Sequence, residues 1–193
     1  TQPIIGSQII FKYKDEYGLI PLIAKNKIGY KNIVELSSKS YLENDNLNDP
    51  HCNFNDLFSY NDGLIFLSGS INGLIGKLFV KGKFNYIEEI YSQIKEKFND
   101  NFYIEIQRHN DQNEKQFENY NLNISSKLDL PIIASHEVFY IDKSTHAAHD
   151  ALLCIKEKTY INEKNRNFLT NQHYLKSSEI GRASCRESVS TSV

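Results

Sequence analysis

The 193-residue sequence contains no methionine. It opens on Thr1-Gln2-Pro3-Ile4-Ile5, which reads as the lead-in to a strand, so the expectation is an internal fragment of a longer protein. Cysteine is scarce: Cys52, Cys154 and Cys185 share no metal-ligand spacing and make no even-numbered framework, which excludes a disulfide scaffold and points to a reducing cytoplasm. There is no excess of positive charge. The net charge of -2 gives no electrostatic case for this stretch binding nucleic acid by itself, because phosphate recognition needs a concentrated basic surface. No apolar run approaches the roughly 20 residues that a membrane helix needs, and no signal peptide is visible, so the expectation is a cytoplasmic protein with no membrane partner.

Arginine is the last scarcity, and it divides the chain. From Thr1 to Ile180 it occurs only at Arg108 and Arg166, in a stretch loaded with Asn, Lys, Ile, Tyr and Phe, whose codons are rich in A and T. Gly181 to Val193 (GRASCRESVSTSV) then supplies Arg182, Arg186 and a burst of serine without apolar periodicity. EIGRASCRE resembles the translated read-through of a sequencing adapter, and residues 181–193 are set aside from the fold on that ground.

What is present fits a globular chain, with 40% hydrophobic and 24% charged residues and enough length for one sizeable core. Ser7–Lys14 and Leu19–Ala24 read as strands about an Asp15–Gly18 turn, with Pro21 marking the second as an edge or irregular strand. Tyr30–Tyr41 carries Ile33, Val34, Leu36 and Tyr41 near helical spacing, Glu43–Asn53 reads as a polar loop, and Asn55–Tyr60 as a short helix. From there the chain alternates. Gly63–Ser68, Phe102–Ile106 and Pro131–Ser135 read as short strands, the first and last of them buried. Asn72–Val80, Phe84–Phe98, Glu114–Leu128 and Ser144–Lys156 read as helices, the last capped by Ser144 or Thr145. Ile87, Ile90, Tyr91, Ile94 and Phe98 give the second of these helices a continuous apolar face. Strands spaced by helices imply parallel pairing in an α/β sheet or barrel, with chemistry at the carboxyl ends of the strands.

Those ends are Ser68-Gly69-Ser70, Gln107-Arg108-His109 and His136-Glu137. His109 stands where such folds place ligands, or is a polar loop histidine. HEVFY superficially resembles the zinc-protease pattern but has Tyr140 at the second histidine and reads as a strand, which excludes that chemistry; Glu137 remains a carboxylate able to meet a divalent metal. His146 and His149 share a helix face, an arrangement more often structural than metal-binding, with His146 expected to be solvated. Ser68–Gly73 is a tight turn between strand and helix, or an anion cradle. Cys154 reads as core.

PIIGSQ, LIAKNKIGYKNIVELSSKSY, GLIFLSGSINGLIGKLF, FYIEIQRH, LPIIASHEVFYID, AHDALLCI and HYLKSSE occur in this order. Together they resemble the PHP (polymerase and histidinol phosphatase) domain of bacterial DNA polymerase III alpha subunits, of an alphaproteobacterial type, over nearly all of Thr1 to Glu179. The resemblance implies an α/β fold: a PHP-type distorted (β/α)7 barrel, incomplete here because it lacks its first strands. It implies a partial PHP domain over 1–160, the start of a linker toward a polymerase core over 161–180, and adapter sequence over 181–193. PHP domains gather a trinuclear metal site from histidines and carboxylates. The earliest ligands, an H-x-H and a D-H pair, are expected upstream of Thr1. A glutamate is expected where this chain has Gln8, and a D-x-H pair where it has Glu137-Val138-Phe139. His109 matches the arginine-histidine ligand, and Glu137 stands in for the acid. An amide is a far poorer ligand than a carboxylate and a phenyl ring is none. His109 and Glu137 are thus the expected remnant of a degenerate metal site, and the other histidines of the segment are incidental to it.

The resemblance further implies a parent DNA-directed DNA polymerase that uses Mg²⁺, held by aspartates downstream, and acts on DNA. In it this piece is a scaffold that docks the proofreading exonuclease subunit among other replicase subunits, with no cofactor of its own. The alternative is a working PHP metal-dependent phosphoesterase or proofreading exonuclease that uses His109 and Glu137.

Overall fold

A computed structural model describes residues 3–44, 49–163 and 166–178. The adapter-like residues 181–193, Cys185 among them, lie outside the described residues. The class is mixed α/β. Among the described residues, six strands, β1 (Gly6–Tyr13), β2 (Glu16–Ala24), β3 (Cys52–Asn53), β4 (Leu64–Leu67), β5 (Phe102–Ile106) and β6 (Ile132–Ala134), form one sheet in the order β3-β1-β2-β4-β5-β6. The helices are α1 (Lys27–Leu42), α2 (Phe54–Ser59), α3 (Leu74–Val80), α4 (Phe84–Phe98), α5 (Glu114–Leu128) and α6 (His146–Glu157). The chain divides into two compact units, one of residues 1–106 with 123–133, the other of 107–122 with 134–193.

In the first unit, β1 and β2 form an antiparallel hairpin with Ile9 opposite Ile20 and Tyr13 opposite Glu16. Beyond it, β4 and β5 pair in parallel, as the strand–helix–strand order requires. β2 is an interior strand rather than an edge, yet Pro21 still obeys the rule that placed it: the ladder to β4 begins only at Leu22, so Pro21 has no paired residue on that side. β3 adds a two-residue parallel pairing with β1, too short to leave a periodic signal in the loop where it falls.

The apolar face expected of α4 is the core: Ile87, Ile90, Tyr91, Ile94 and Phe98 are all buried, with Phe66 and Phe102 packed edge to face beneath them. α1 departs from expectation. Gly29, Ile33, Leu36 and Ser40 make its inward stripe, while Val34 and Tyr41 fall off that stripe and are exposed. The helix starts earlier than its apolar residues indicate because Asn26 caps it, its Oδ1 accepting from the backbone N–H groups of Ile28 and Gly29 at 2.9 and 3.0 Å. Gly29 is needed there: a Cβ at that position would meet the Gly63 carbonyl oxygen at 1.9 Å.

One further reading is corrected. Pro131–Ser135 is not a buried strand. β6 spans three residues, Ile132 is half-buried, and Ile133 and Ala134 are exposed, as suits the last strand of a sheet with a neighbour on one side only. Ser68–Gly73 is the tight turn expected between strand and helix: the Ser68 hydroxyl accepts from the Glu105 backbone N–H at 2.8 Å, tying the end of β4 to β5. The helix after it has only seven residues.

Cys52 and Cys154 are buried free thiols, and burial pushes the Cys52 thiol up to about 11.

The hairpin also carries a buried acid. The Glu16 carboxylate receives Lys81 Nζ at 2.6 Å and Lys83 Nζ at 2.8 Å, and these two ammonium groups hold its pKa below the usual carboxylate range. A depressed carboxylate pKa stabilises the fold above the unfolded-state value, and that stabilisation is lost as pH falls through the folded-state value. Between about pH 6 and about pH 3 the urea midpoint of Glu16→Gln should therefore fall less than that of the unaltered chain. Equal slopes in the two titrations would show that Glu16 contributes no such linkage.

Candidate metal centre

The second unit contains His109, His136 and Glu137, three of the residues singled out from the sequence. The loop after β5 is shaped by the first turn of α5. The Glu114 carboxylate, buried at the start of that helix, accepts the backbone N–H of His109 at 2.8 and 2.9 Å and that of Asn110 at 2.8 Å. Asn110 and Asn113 take left-handed backbone with φ of 61° and 64°, which asparagine tolerates, and this curls the loop over the acid. An acid in a helix's first turn also meets the positive end of the peptide dipoles.

Glu114 fixes the ring of His109 as well as its backbone. Nδ1 lies 3.3 Å from Glu114 Oε1, and Nε2 accepts the backbone N–H of Glu137 at 3.2 Å. These partners assign the Nδ1–H tautomer, with the Nε2 lone pair facing an amide. His109 and Glu137 are therefore brought together, through the main chain of Glu137. The Thr170 hydroxyl donates to the His109 carbonyl, so that both backbone polar groups of His109 are engaged.

His109 is the middle ring of three imidazoles. His136 stacks on it at 4.5 Å between centroids, and His173 at 4.0 Å with planes only 2° apart. His136 thus packs against the His109 ring. Its Nε2 donates to the Tyr174 carbonyl at 2.9 Å. Burial lowers its pKa, with the Tyr174 carbonyl opposing and His109, Lys176 and His173 adding to the shift.

His173 is only 1% exposed, and neither ring nitrogen has a hydrogen-bond partner. Its carbonyl accepts from the backbone N–H groups of Phe139 and Tyr140, at 2.9 and 3.4 Å, which pins the residue in place. Asp111 Oδ2 lies 3.8 Å from His173 Nε2, an ion-pair distance but too long for a hydrogen bond. Among the described residues, His109, Asp111 and His173 form a group whose ligand-type atoms all lie within 4.8 Å of one another.

Phe139, at the position where the family pattern expects a histidine, packs its ring 5.4 Å from that of His173 and 5.8 Å from that of His149. Gln8 lies on β1 in the other unit, opposite Pro21 in the hairpin register. Two of the residues at the family's ligand positions do not fit a multinuclear cationic centre: an amide at 8 and a phenyl at 139.

His146 is half-buried rather than fully solvated. Its Nε2 donates to the Leu169 carbonyl at 2.8 Å, and it shares with His149 the face that meets Tyr140. Neither Ser144 nor Thr145 caps α6 with its side chain. Asp142 does so one turn earlier, its Oδ1 accepting from the backbone N–H groups of Ser144 and Thr145 at 2.9 and 3.2 Å, and its pKa is lowered first by the Ser144 hydroxyl and then by that of Thr145. Arg108 grips Glu118 with Nε and Nη2 at 3.1 and 2.6 Å. Arg166 grips Asp150 at 2.5 and 2.8 Å, and that contact holds the buried Asp150 below the usual carboxylate range.

Glu114, Asp111 and His173 escape the sequence reading. The first two stand in plain view in RHNDQNE, where an acid five residues after His109 at a helix start is a readable capping signal. His173 is visible in HYLKSSE, but no local spacing connects it to His109.

Removing the Glu114 carboxylate leaves two loop amides and an imidazole N–H without an acceptor. Glu114→Ala should cost about 2–4 kcal/mol of stability in urea unfolding. The His109 and Asn110 amides should also exchange with solvent faster, while a change below about 0.5 kcal/mol would mean that water replaces the acid without loss.

Residues 1–109 match a family described as "PHP domain". Over 179 residues the chain is 36% identical to the "DNA polymerase III subunit alpha" of Rickettsia bellii (strain RML369-C), covering 92% of this chain and 15% of that protein. It is 33% identical over 158 residues to the protein of that name from Caulobacter vibrioides (strain NA1000 / CB15N), covering 82% of this chain and 14% of the relative. It is 34% identical over 190 residues to that of Borreliella burgdorferi (strain ATCC 35210 / DSM 4680 / CIP 102532 / B31), covering 92% and 16%. The chain thus spans about 15% of the length of the curated relatives it matches.

Proposed function

Because this chain belongs to the PHP domain family, we propose that it is the PHP segment of a DNA polymerase III alpha subunit and serves there as a non-catalytic scaffold. The similarity to alpha subunits over 92% of the chain supports the first part. The single observation that carries the second is Phe139: a phenyl ring, which offers a metal no donor atom, stands where the family pattern has a histidine and packs 5.4 Å from the ring of His173. Gln8, an amide at another family ligand position, supports the same reading.

In this reading the parent protein carries out DNA-directed DNA synthesis in the cytoplasm, with Mg²⁺ held by aspartates downstream of this stretch. No described helix is long and apolar enough to cross a membrane. Residues 1–160 are the partial PHP barrel, 161–180 lead toward the polymerase core, and 181–193 are adapter-derived. The domain supports that core and docks the separate proofreading exonuclease among the other replicase subunits, while DNA is met through the parent.

A second reading, a PHP phosphoesterase that uses His109 and Glu137, is favoured by one feature. A carboxylate on the far nitrogen of a histidine, as Glu114 is on His109, is the usual support of a metal-bound imidazole.

Primer extension and 3′-end hydrolysis by a complete alpha subunit carrying this segment separate the two. On the scaffold reading, extension depends on Mg²⁺, hydrolysis is at background, and His109→Ala changes neither by more than about twofold. Hydrolysis by the unaltered protein that drops a hundredfold or so in His109→Ala would replace the scaffold with the phosphoesterase.

A further inference from the structure

We propose that His109, Asp111 and His173 bind one divalent transition-metal ion of the zinc class, which fastens the stretch around His173 to the loop that follows β5. This site takes none of Gln8, Glu137 and Phe139, and adds two residues that the family pattern does not use. It does not depend on the polymerase reading.

The first ground is His173. A buried imidazole carries one N–H and one lone pair, and leaving both unsatisfied is costly. Here both nitrogens lack a protein partner in a residue 1% exposed, and two backbone hydrogen bonds to its carbonyl hold its main chain in place. The second ground is Asp111. Its carboxylate faces Nε2 of His173 at 3.8 Å. Two ligands on one tetrahedral zinc sit about 3.3 Å apart, so this pair stands close to a shared coordination sphere and outside hydrogen-bond range.

The third ground is the posture of His109. Glu114 accepts the hydrogen bond of Nδ1–H and leaves the Nε2 lone pair as the ligating atom, the orientation seen when a carboxylate backs a metal-bound histidine. Loading the ion exchanges the long 3.2 Å hydrogen bond from the Glu137 amide for a coordinate bond, and tilts the two parallel imidazoles toward Asp111. Two neutral imidazoles and one carboxylate favour zinc or cobalt over magnesium or calcium, which take oxygen ligands. A water fills the fourth position.

The test uses the full 193-residue chain without a histidine tag, stripped with chelator and dialysed against Zn²⁺ or Co²⁺. Metal analysis should find about one ion per chain, Co²⁺ should give the visible absorption of a tetrahedral site, and Zn²⁺ should raise the thermal midpoint to saturation. In His173→Gln and Asp111→Asn the stoichiometry should fall below about 0.1 and the zinc response of the midpoint should vanish. If His173→Gln does not fold, Asp111→Asn, altered at a less buried position, decides alone. Fewer than about 0.1 ions on the unaltered chain, or an ion retained by both variants, overturns the site. Hydrolysis of a phosphodiester by the loaded chain would sink the scaffold reading and leave this site standing; absence of the ion would sink the site and leave the scaffold.

Discussion

One buried carboxylate organises the second unit. Glu114 gathers two backbone amides and an imidazole N–H, and every later arrangement around His109 presupposes that grip. The left-handed turns at Asn110 and Asn113 bring those donors round to the acid. The fixed His109 ring then offers two faces to His136 and His173, and its carbonyl receives Thr170. A charge-assisted cluster of this kind fixes a geometry more than it adds stability, because an acid taken out of water regains in hydrogen bonds roughly what desolvation removed.

What the sequence makes legible follows from how local each signal is. The apolar face of α4 is complete in a single stretch and is read without error. The α/β alternation is equally local, since each buried strand and each helix carries its own period. Val34 and Tyr41 mislead because a helix with several apolar faces does not announce which one meets the sheet. Pro131–Ser135 misleads because an apolar run looks the same in the middle of a sheet and at its edge, and only the neighbours decide which it is.

The candidate centre is less legible for the same reason. His109 stands out by following a strand, and Phe139 by standing where a histidine is expected. Yet the group that surrounds His109 is assembled across long sequence distances, from RHND, SHEVF and HYLKS, and no spacing rule connects these three. Asp142 shows the same limit on a small scale. The eye takes the hydroxyl residue nearest the helix as its cap, while the chain inserts a turn first and caps that with the acid.

The two arginines of Thr1–Ile180 are a record of where geometry outranks supply. Both grip a carboxylate with two nitrogens, Arg108 on Glu118 and Arg166 on the buried Asp150. A planar fork can do this and an ammonium cannot. Lysine serves wherever one positive charge is enough, and this stretch uses arginine only where two parallel hydrogen bonds fasten one segment to another. In a stretch so poor in arginine, each one marks a joint.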